Sequence, residues 1–179
     1  MDHFEAIVKT LLEAEGYWVR QSFKVNLTKE EKQDIGKPSI PRPEIDLLAF
    51  NVSRNEILAL EAKSFLDSPG VTLSHLEEVH DLPEGRYKLF TSKRYRTVVM
   101  ARLSKDLIGL GMANKDTKIT LGLAAGKVYQ SNTEGVRAFM TKRKWFFISP
   151  EEIKEKVTNL AMLGYENDPA IITAKILMR

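Results

Sequence analysis

Two short motifs contain the residues best suited to chemistry, Pro43-Glu44-Ile45-Asp46 and Glu61-Ala62-Lys63. Each lies on a mainly apolar segment, the first at residues 45–50 and the second at residues 57–62. The intervening residues 51–56 are mostly polar, as expected of a turn. This arrangement predicts two antiparallel strands joined in a hairpin.

The register of this hairpin decides which side chains meet. If Phe50 lies opposite Ile57, the same offset places Asp46 directly opposite Glu61. Because side chains alternate between the two faces of a strand, Lys63 shares the face of these two carboxylates. The other face is expected to point towards a core and carries Leu47, Ala49, Leu58, Leu60 and Ala62.

Two carboxylates that face each other across a ladder repel, so their charge needs compensation. A bound cation, a shared proton or the nearby Lys63 could supply it. Mg²⁺ is the most natural cation, because it takes carboxylate and carbonyl oxygens as ligands and keeps several waters. Such an ion polarises a phosphate and lowers the pKa of an attacking water. Lys63 could orient that water, accept its proton or stabilise the charge of the transition state.

These residues resemble the PD-(D/E)xK nuclease superfamily, which includes restriction endonucleases and Holliday-junction resolvases. The likeness covers about residues 4–65. It implies a restriction-endonuclease-like core in which Asp46, Glu61 and Lys63 are catalytic. The implied ligands of Mg²⁺ or Mn²⁺ are Asp46, Glu61, the backbone carbonyl of Ala62, and Glu5 on the first helix. The implied substrate is DNA.

Some alternatives accompany this resemblance. Glu13 and Glu15 are further candidates for the helix carboxylate, and Glu44 competes with Asp46 for the first ligand position. Register favours Asp46, since it alone lies opposite Glu61. The pattern of an acid, any residue and Lys occurs four times in the chain, so only its strand context selects Glu61. The alternative interpretation is an ordinary amphipathic hairpin whose ends carry charged residues.

The pattern of elements around the hairpin predicts an α/β fold. Apolar spacing indicates helices at residues 3–15, 72–80, 93–110, 135–140 and 150–163, and one after Asp168-Pro169. It indicates further strands at residues 17–25, 119–129 and 145–148, and a loop at residues 26–43. This order predicts a central mixed sheet flanked by helices. We expect one domain over residues 1–179, with the catalytic core at about 1–130 and a final strand and helices at about 131–179.

Composition narrows the remaining choices. The 179 residues include 27 Lys and Arg against 24 Asp and Glu, a net charge of +3 that permits a nucleic-acid partner. The absence of Cys excludes disulfides and thiolate zinc sites, and the three His are too scattered to form a metal set. No apolar segment has membrane-spanning length. We therefore expect a cytoplasmic protein without a membrane partner.

Three basic segments are candidates for contact with nucleic acid, although each also fits a solvated surface. The residues concerned are Arg42, Lys93, Arg94, Arg96, Lys142, Arg143 and Lys144. The function expected from the whole sequence is a metal-dependent endonuclease acting on DNA. The alternative is a noncatalytic nucleic-acid-binding or assembly module that keeps the nuclease fold. Cleavage of both strands would make a two-fold homodimer natural.

Overall fold

The fold is organised around one five-stranded sheet. A computed structural model describes residues 3–164 and 166–178. The strands follow the order β1-β2-β3-β4-β5, in which β1 to β3 are antiparallel neighbours and β3 to β5 are parallel neighbours. Their bounds are Trp18–Lys24 for β1, Glu44–Asn51 for β2, Glu56–Lys63 for β3, Lys118–Ala125 for β4 and Phe146–Ile148 for β5.

Eight α-helices connect or flank these strands in the described parts of the chain. They are α1 (His3–Ala14), α2 (Lys29–Asp34), α3 (Leu73–Glu77), α4 (Lys88–Thr91), α5 (Lys93–Gly109), α6 (Thr133–Lys142), α7 (Pro150–Leu160) and α8 (Pro169–Leu177). Sequence signals explain several ends. Gly16, two residues after the end of α1, has a φ of 85°, a backbone conformation that stops a helix. Ser149 and Glu152 form a capping box at the start of α7.

The sheet is covered on both faces, which gives two apolar clusters. On one face Leu48 and Ala59 pack with the α5 side chains Tyr95, Val99 and Leu103. The opposite face packs against α1, α7 and α8, and its members from the hairpin are Leu47, Ala49, Leu58, Leu60 and Ala62. The expected core face is therefore confirmed. The second face is also buried, because β2 and β3 are central strands with helices above and below.

The α/β class and the mixed sheet flanked by helices are as expected. The main difference lies in residues 26–43, which the sequence predicts to be a loop but which contain α2. The Thr28 hydroxyl accepts a hydrogen bond from the Glu31 N–H, and the Glu31 carboxylate accepts one from the Thr28 N–H. This capping box starts a helix without an apolar stripe. Within residues 3–164 and 166–178, no helix is long and apolar enough to cross a membrane.

Candidate functional site

The β2–β3 hairpin has the predicted register. Its paired residues run from Asn51 with Glu56 to Leu47 with Leu60 and include Phe50 with Ile57. The ladder ends with the pair of Leu47 and Leu60, so the predicted pairing of Asp46 with Glu61 at the next position is not part of the ladder. Beyond that pair the Asp46 side chain, instead of the backbone, links the two strands, because its Oδ2 accepts a hydrogen bond of 2.8 Å from the Ala62 N–H. Asp46 is thus fixed beside the last residues of β3.

An irregularity in β1 lies next to Asp46. Ser22 has a φ of 52°, and it is the one residue of β1 that forms no pair with β2. On one side of this point Val19 and Leu47 belong to the α1 side of the sheet, whereas Phe23 and Ile45 belong to the α5 side. The side chains therefore change face at Ser22.

Lys63 links the two carboxylates. Its Nζ donates a hydrogen bond of 3.0 Å to Glu61 Oε2 and lies 3.7 Å from Asp46 Oδ2. The side chains of Asp46, Glu61 and Lys63 retain 19%, 14% and 19% of their exposure, so all three are mostly shielded from water. The structure therefore brings together the three residues that the sequence predicted to be catalytic.

Burial changes the ionisation of this group. Burial raises the pKa of the Glu61 carboxyl above its usual value, and the charge of Asp46 adds to that rise, although Lys63 opposes it. Burial alone would lower the pKa of Lys63. The negative charges of Glu61 and Asp46 outweigh that effect, so the pKa of Lys63 is raised. Lys63 is consequently an ammonium ion at neutral pH.

Three residues that were not predicted as site residues interact electrostatically with Glu61 or Lys63, and they are Tyr87, Lys88 and Tyr95. Lys88 lowers the pKa of Glu61 by its charge, and its Nζ lies 5.7 Å from the centre of the Tyr95 ring. Tyr95 is fully buried, and burial with the charge of Glu61 raises the pKa of its phenol. Tyr87 is also buried and feels the charge of Lys63. The sequence signal that could have found them is the presence of Tyr among basic residues, in Arg86-Tyr87-Lys88 and in Lys93-Arg94-Tyr95-Arg96.

None of the three candidate helix carboxylates, Glu5, Glu13 and Glu15, forms a close group with Asp46 and Glu61. Glu5 is half-buried in the first turn of α1, whose neighbour Phe4 approaches Gly126 at the end of β4. Glu13 pairs with Lys9 at 3.8 Å, and Glu15 bonds to Lys156 of α7. Among residues 3–164 and 166–178, no three His, Asp or Glu side chains are grouped closely enough to hold a metal ion. Glu5 is thus not grouped with Asp46 and Glu61 in this conformation.

Glu44 and Ala62 have defined partners. Glu44 is exposed and lies 3.9 Å from Lys24 Nζ of β1, whereas Asp46 contacts Ala62 and Lys63. The geometry therefore favours Asp46 over Glu44 as the acid of the site. Ala62 pairs with Ala124 of β4 and gives its N–H to Asp46, while the role of its carbonyl as a ligand stays a prediction.

Two of the predicted basic segments meet in space. The Arg96 guanidinium lies 4.8 Å from the centre of the Trp145 ring, and that of Arg143 lies 5.6 Å from the same ring. The start of α5 is thus next to the end of α6. The exposed basic side chains on this surface, which we call the basic face, are Lys93, Arg94, Lys142, Arg143 and Lys144.

Arg96 and Arg42 have protein partners. Arg96 is half-buried and donates hydrogen bonds of 3.0 Å to the carbonyls of Leu89 and Phe90, so it holds α4 against α5. Burial lowers the pKa of Arg96, and the charge of Arg143 adds to this effect. Arg42 is exposed and donates a hydrogen bond of 3.3 Å to the Asn26 side chain. The structure accounts for Arg96 by these internal contacts alone.

The geometry of Asp46, Glu61 and Lys63 is therefore the feature from which function has to be argued. Comparisons of the chain with protein-family models, with curated proteins and with solved structures found no match.

Proposed function

We propose that this protein is a metal-dependent nuclease with a restriction-endonuclease-like core that hydrolyses phosphodiester bonds of DNA. The observation that carries the proposal is the shielded group formed by Asp46, Glu61 and Lys63, with Lys63 within 3.7 and 3.0 Å of the two carboxylates. Such a group costs folding free energy, because burying charges removes their hydration. Perturbed ionisable groups of this kind are concentrated at sites of catalysis.

The donor set fits a hard divalent cation. Asp46 and Glu61 offer carboxylate oxygens, and the raised pKa of Glu61 means that its charged form lacks sufficient compensation from the protein. Mg²⁺ or Mn²⁺ would be held by Asp46, Glu61 and the carbonyl of Ala62, and Glu5, which is not grouped with the two acids, would assist through a bound water. When bound, the ion would polarise the phosphate and lower the pKa of a water.

The protonation of Lys63 selects among its candidate roles. Because its raised pKa keeps it charged at neutral pH, Lys63 is suited to orient the attacking water and to stabilise the extra negative charge at phosphorus. It is less suited to accept a proton. Lys88, whose charge acts on Glu61 from α4, is a second cation for the phosphate.

The experiment is a cleavage assay with plasmid, linear, branched and single-stranded DNA in Mg²⁺ or Mn²⁺. We expect the wild type to cut at least one substrate, and Asp46→Asn, Glu61→Gln and Lys63→Met each to lower the rate about 100-fold or more. Asp116→Asn and Lys118→Met are matched controls, since they change another acid-x-Lys tripeptide whose charged residues are exposed. Inactivity of the wild type on every substrate would refute the proposal.

The noncatalytic nucleic-acid-binding module remains the second candidate because of the basic face. Among the described residues, none of its exposed cations forms an ion pair with a carboxylate. Metal titration separates the two functions. A nuclease site should be stabilised thermally by Mg²⁺ or Mn²⁺, and Asp46→Ala should remove that stabilisation. DNA binding without any thermal response to metal would favour the module.

A further inference from the structure

A cavity of about 500 Å³ opens beside the candidate site. One wall is the segment after β3 that begins at Phe65, and another contains Tyr129, which follows β4. Arg86 and Tyr87, from the chain just before α4, complete it. The cavity therefore lies where the parallel strands β3 and β4 end. In open α/β sheets, ligands bind in the crevice outside the carboxyl ends of the strands.

The cavity and the acidic group are neighbours. Phe65 is two residues beyond Lys63 and faces the cavity. Tyr87 adjoins both, since it lines the cavity and the charge of Lys63 acts on its phenol. A nucleotide with its phosphate at Asp46 and Glu61 would thus have this cavity within reach of its base.

The walls have the chemistry that binds a nucleobase. Phe65, Tyr87 and Tyr129 provide aromatic rings, and the described lining residues include no Asp or Glu. Arg86 places its guanidinium 5.7 Å from the centre of the Phe65 ring, and His75 lies on the same rim. Aromatic faces stack on any base, and a nearby cation attracts the phosphate backbone.

The walls are also fixed by the backbone. Val71 N–H donates to the Lys127 carbonyl and Tyr129 N–H donates to the Val71 carbonyl, each at 2.9 Å. Gly70 has a φ of 107°, and a Cβ at that position would lie 2.9 Å from Tyr129 N. Only glycine therefore allows the two walls to approach this closely. The cavity is formed before any ligand arrives, which lowers the cost of binding.

We propose that this cavity holds an unpaired nucleobase of the DNA strand that is cut, next to the scissile phosphate. The inference rests on the proposed nuclease function. A base stacked inside a duplex cannot enter such a cavity unless it is first turned out of the stack. The preferred substrate is therefore a single strand, or a flap or branch that presents unpaired nucleotides at the site.

The test compares Tyr129→Ala with Tyr129→Phe. The Tyr129 side chain belongs to a residue that is 41% exposed, so its truncation leaves the core intact, and Phe keeps the stacking ring. Binding is measured in EDTA with a single-stranded oligonucleotide that carries 2-aminopurine and with its blunt duplex. Cleavage of both DNAs is measured in Mg²⁺. Arg86→Ala is a second variant on another wall.

We expect the wild type to bind and cut the single strand in preference to the duplex and to quench the 2-aminopurine fluorescence. Tyr129→Ala should weaken single-strand binding about tenfold and reduce the single-strand preference in cleavage by a similar factor. Duplex binding should change less than about twofold in the same variant, since no base stacks there. Tyr129→Phe should behave as the wild type.

Two results would overturn the inference while leaving the proposed nuclease function intact. One is cleavage of DNA with no preference for unpaired nucleotides. The other is an unchanged preference in both Tyr129→Ala and Arg86→Ala. If the wild type neither binds nor cuts any of these DNAs, the proposed function and the inference fail together.

Discussion

The charge of Asp46 disfavours ionisation of Glu61, and the charge of Lys63 counteracts that effect. Among the causes that raise the pKa of Glu61, burial is the largest and the charge of Asp46 adds to it. The protein alone therefore leaves the charge of Glu61 incompletely compensated. A cation bound by Asp46 and Glu61 would supply the missing compensation. Activity would then depend on two residues that lower the stability of the protein when no cation is bound.

Replacement of Glu61 tests this balance through pH. Because the folded-state pKa of Glu61 is raised above 4.5, the proton on Glu61 stabilises the fold at low pH. This stability is lost as pH rises through the folded pKa. We expect Glu61→Gln, which does not titrate, to gain stability relative to the wild type as pH rises from about 4.5 to 8. Denaturant unfolding in EDTA measures the difference, and Glu44→Gln on the neighbouring strand β2 is the exposed control. A constant difference across this pH range would contradict the prediction.

The three central residues were predictable, but their surroundings were not. Asp46, Glu61 and Lys63 meet because hairpin register follows from two apolar runs and a turn, and side-chain alternation is a local rule. Lys88 and Tyr95 reach the same place through the packing of α4 and α5 on the sheet. That packing joins residues distant in sequence, and apolar spacing does not specify it.

The α2 helix shows the same limit for a whole element. Its sequence is polar throughout, so the apolar periodicity that marks the other helices is missing. Its tertiary anchor is a pair of charged residues. Arg102 of α5 donates three hydrogen bonds of 2.7 to 3.0 Å to both carboxylate oxygens of Glu31. This two-pronged contact ties the segment before β2, and hence Asp46, to the helix that covers the sheet.

Glu31→Gln should weaken this anchor without removing the helix cap, since a Gln side chain still accepts a hydrogen bond from Thr28. The hydrogen bonds from Arg102 hold the pKa of Glu31 below its usual value. This contribution is therefore present above about 4.5 and is lost as pH falls through the lowered folded pKa. We expect Glu31→Gln to lower the free energy of unfolding by about 1 to 2 kcal/mol at pH 7 and less at pH 3.

Glu30→Gln, which changes an exposed neighbour with no ion pair in the described structure, should have a smaller effect. A loss of equal size at pH 3 and pH 7 would contradict this account.

The centre of β4 has room for glycine alone. A Cβ on Gly122 would lie 2.5 Å from a Leu60 methyl group, 2.9 Å from Phe146 Cβ and 2.9 Å from the Phe146 carbonyl oxygen. Two of these contacts cannot relax without moving β5. We expect Gly122→Ala to destabilise the protein by about 2 to 3 kcal/mol, measured by denaturant unfolding. Gly109→Ala is the matched control, because it meets open space at the end of α5 and should be neutral or stabilising by up to about 1 kcal/mol. Equal effects of the two substitutions would refute this explanation.

Across the whole molecule, charge is distributed so that one side carries both the candidate site and the basic face. Tyr95 in the first turn of α5 feels the charge of Glu61, so α5 begins at the end of the sheet where the site lies. Lys93 and Arg94 are exposed at that point, and Trp145 joins them to the end of α6 through Arg96 and Arg143. The net charge of +3 is thus less informative than this asymmetry.

The basic face should bind the phosphate backbone of DNA, and salt dependence is the measure that tests it. Each phosphate neutralised by Lys or Arg releases counterions, which contributes about 0.9 to the slope of log K against log salt concentration for duplex DNA. We expect the combined substitution of Lys93, Arg94, Lys142 and Lys144 by Ala to weaken DNA binding and to reduce this slope by about 2 to 4. The control is the double substitution Lys115→Ala and Lys118→Ala. It removes exposed charges at the start of β4, whereas the candidate site lies near the end of that strand. If the control reduced affinity and slope as much per charge as the basic-face variant, attraction would come from net charge alone. A slope unchanged in the basic-face variant would instead place the DNA on another surface.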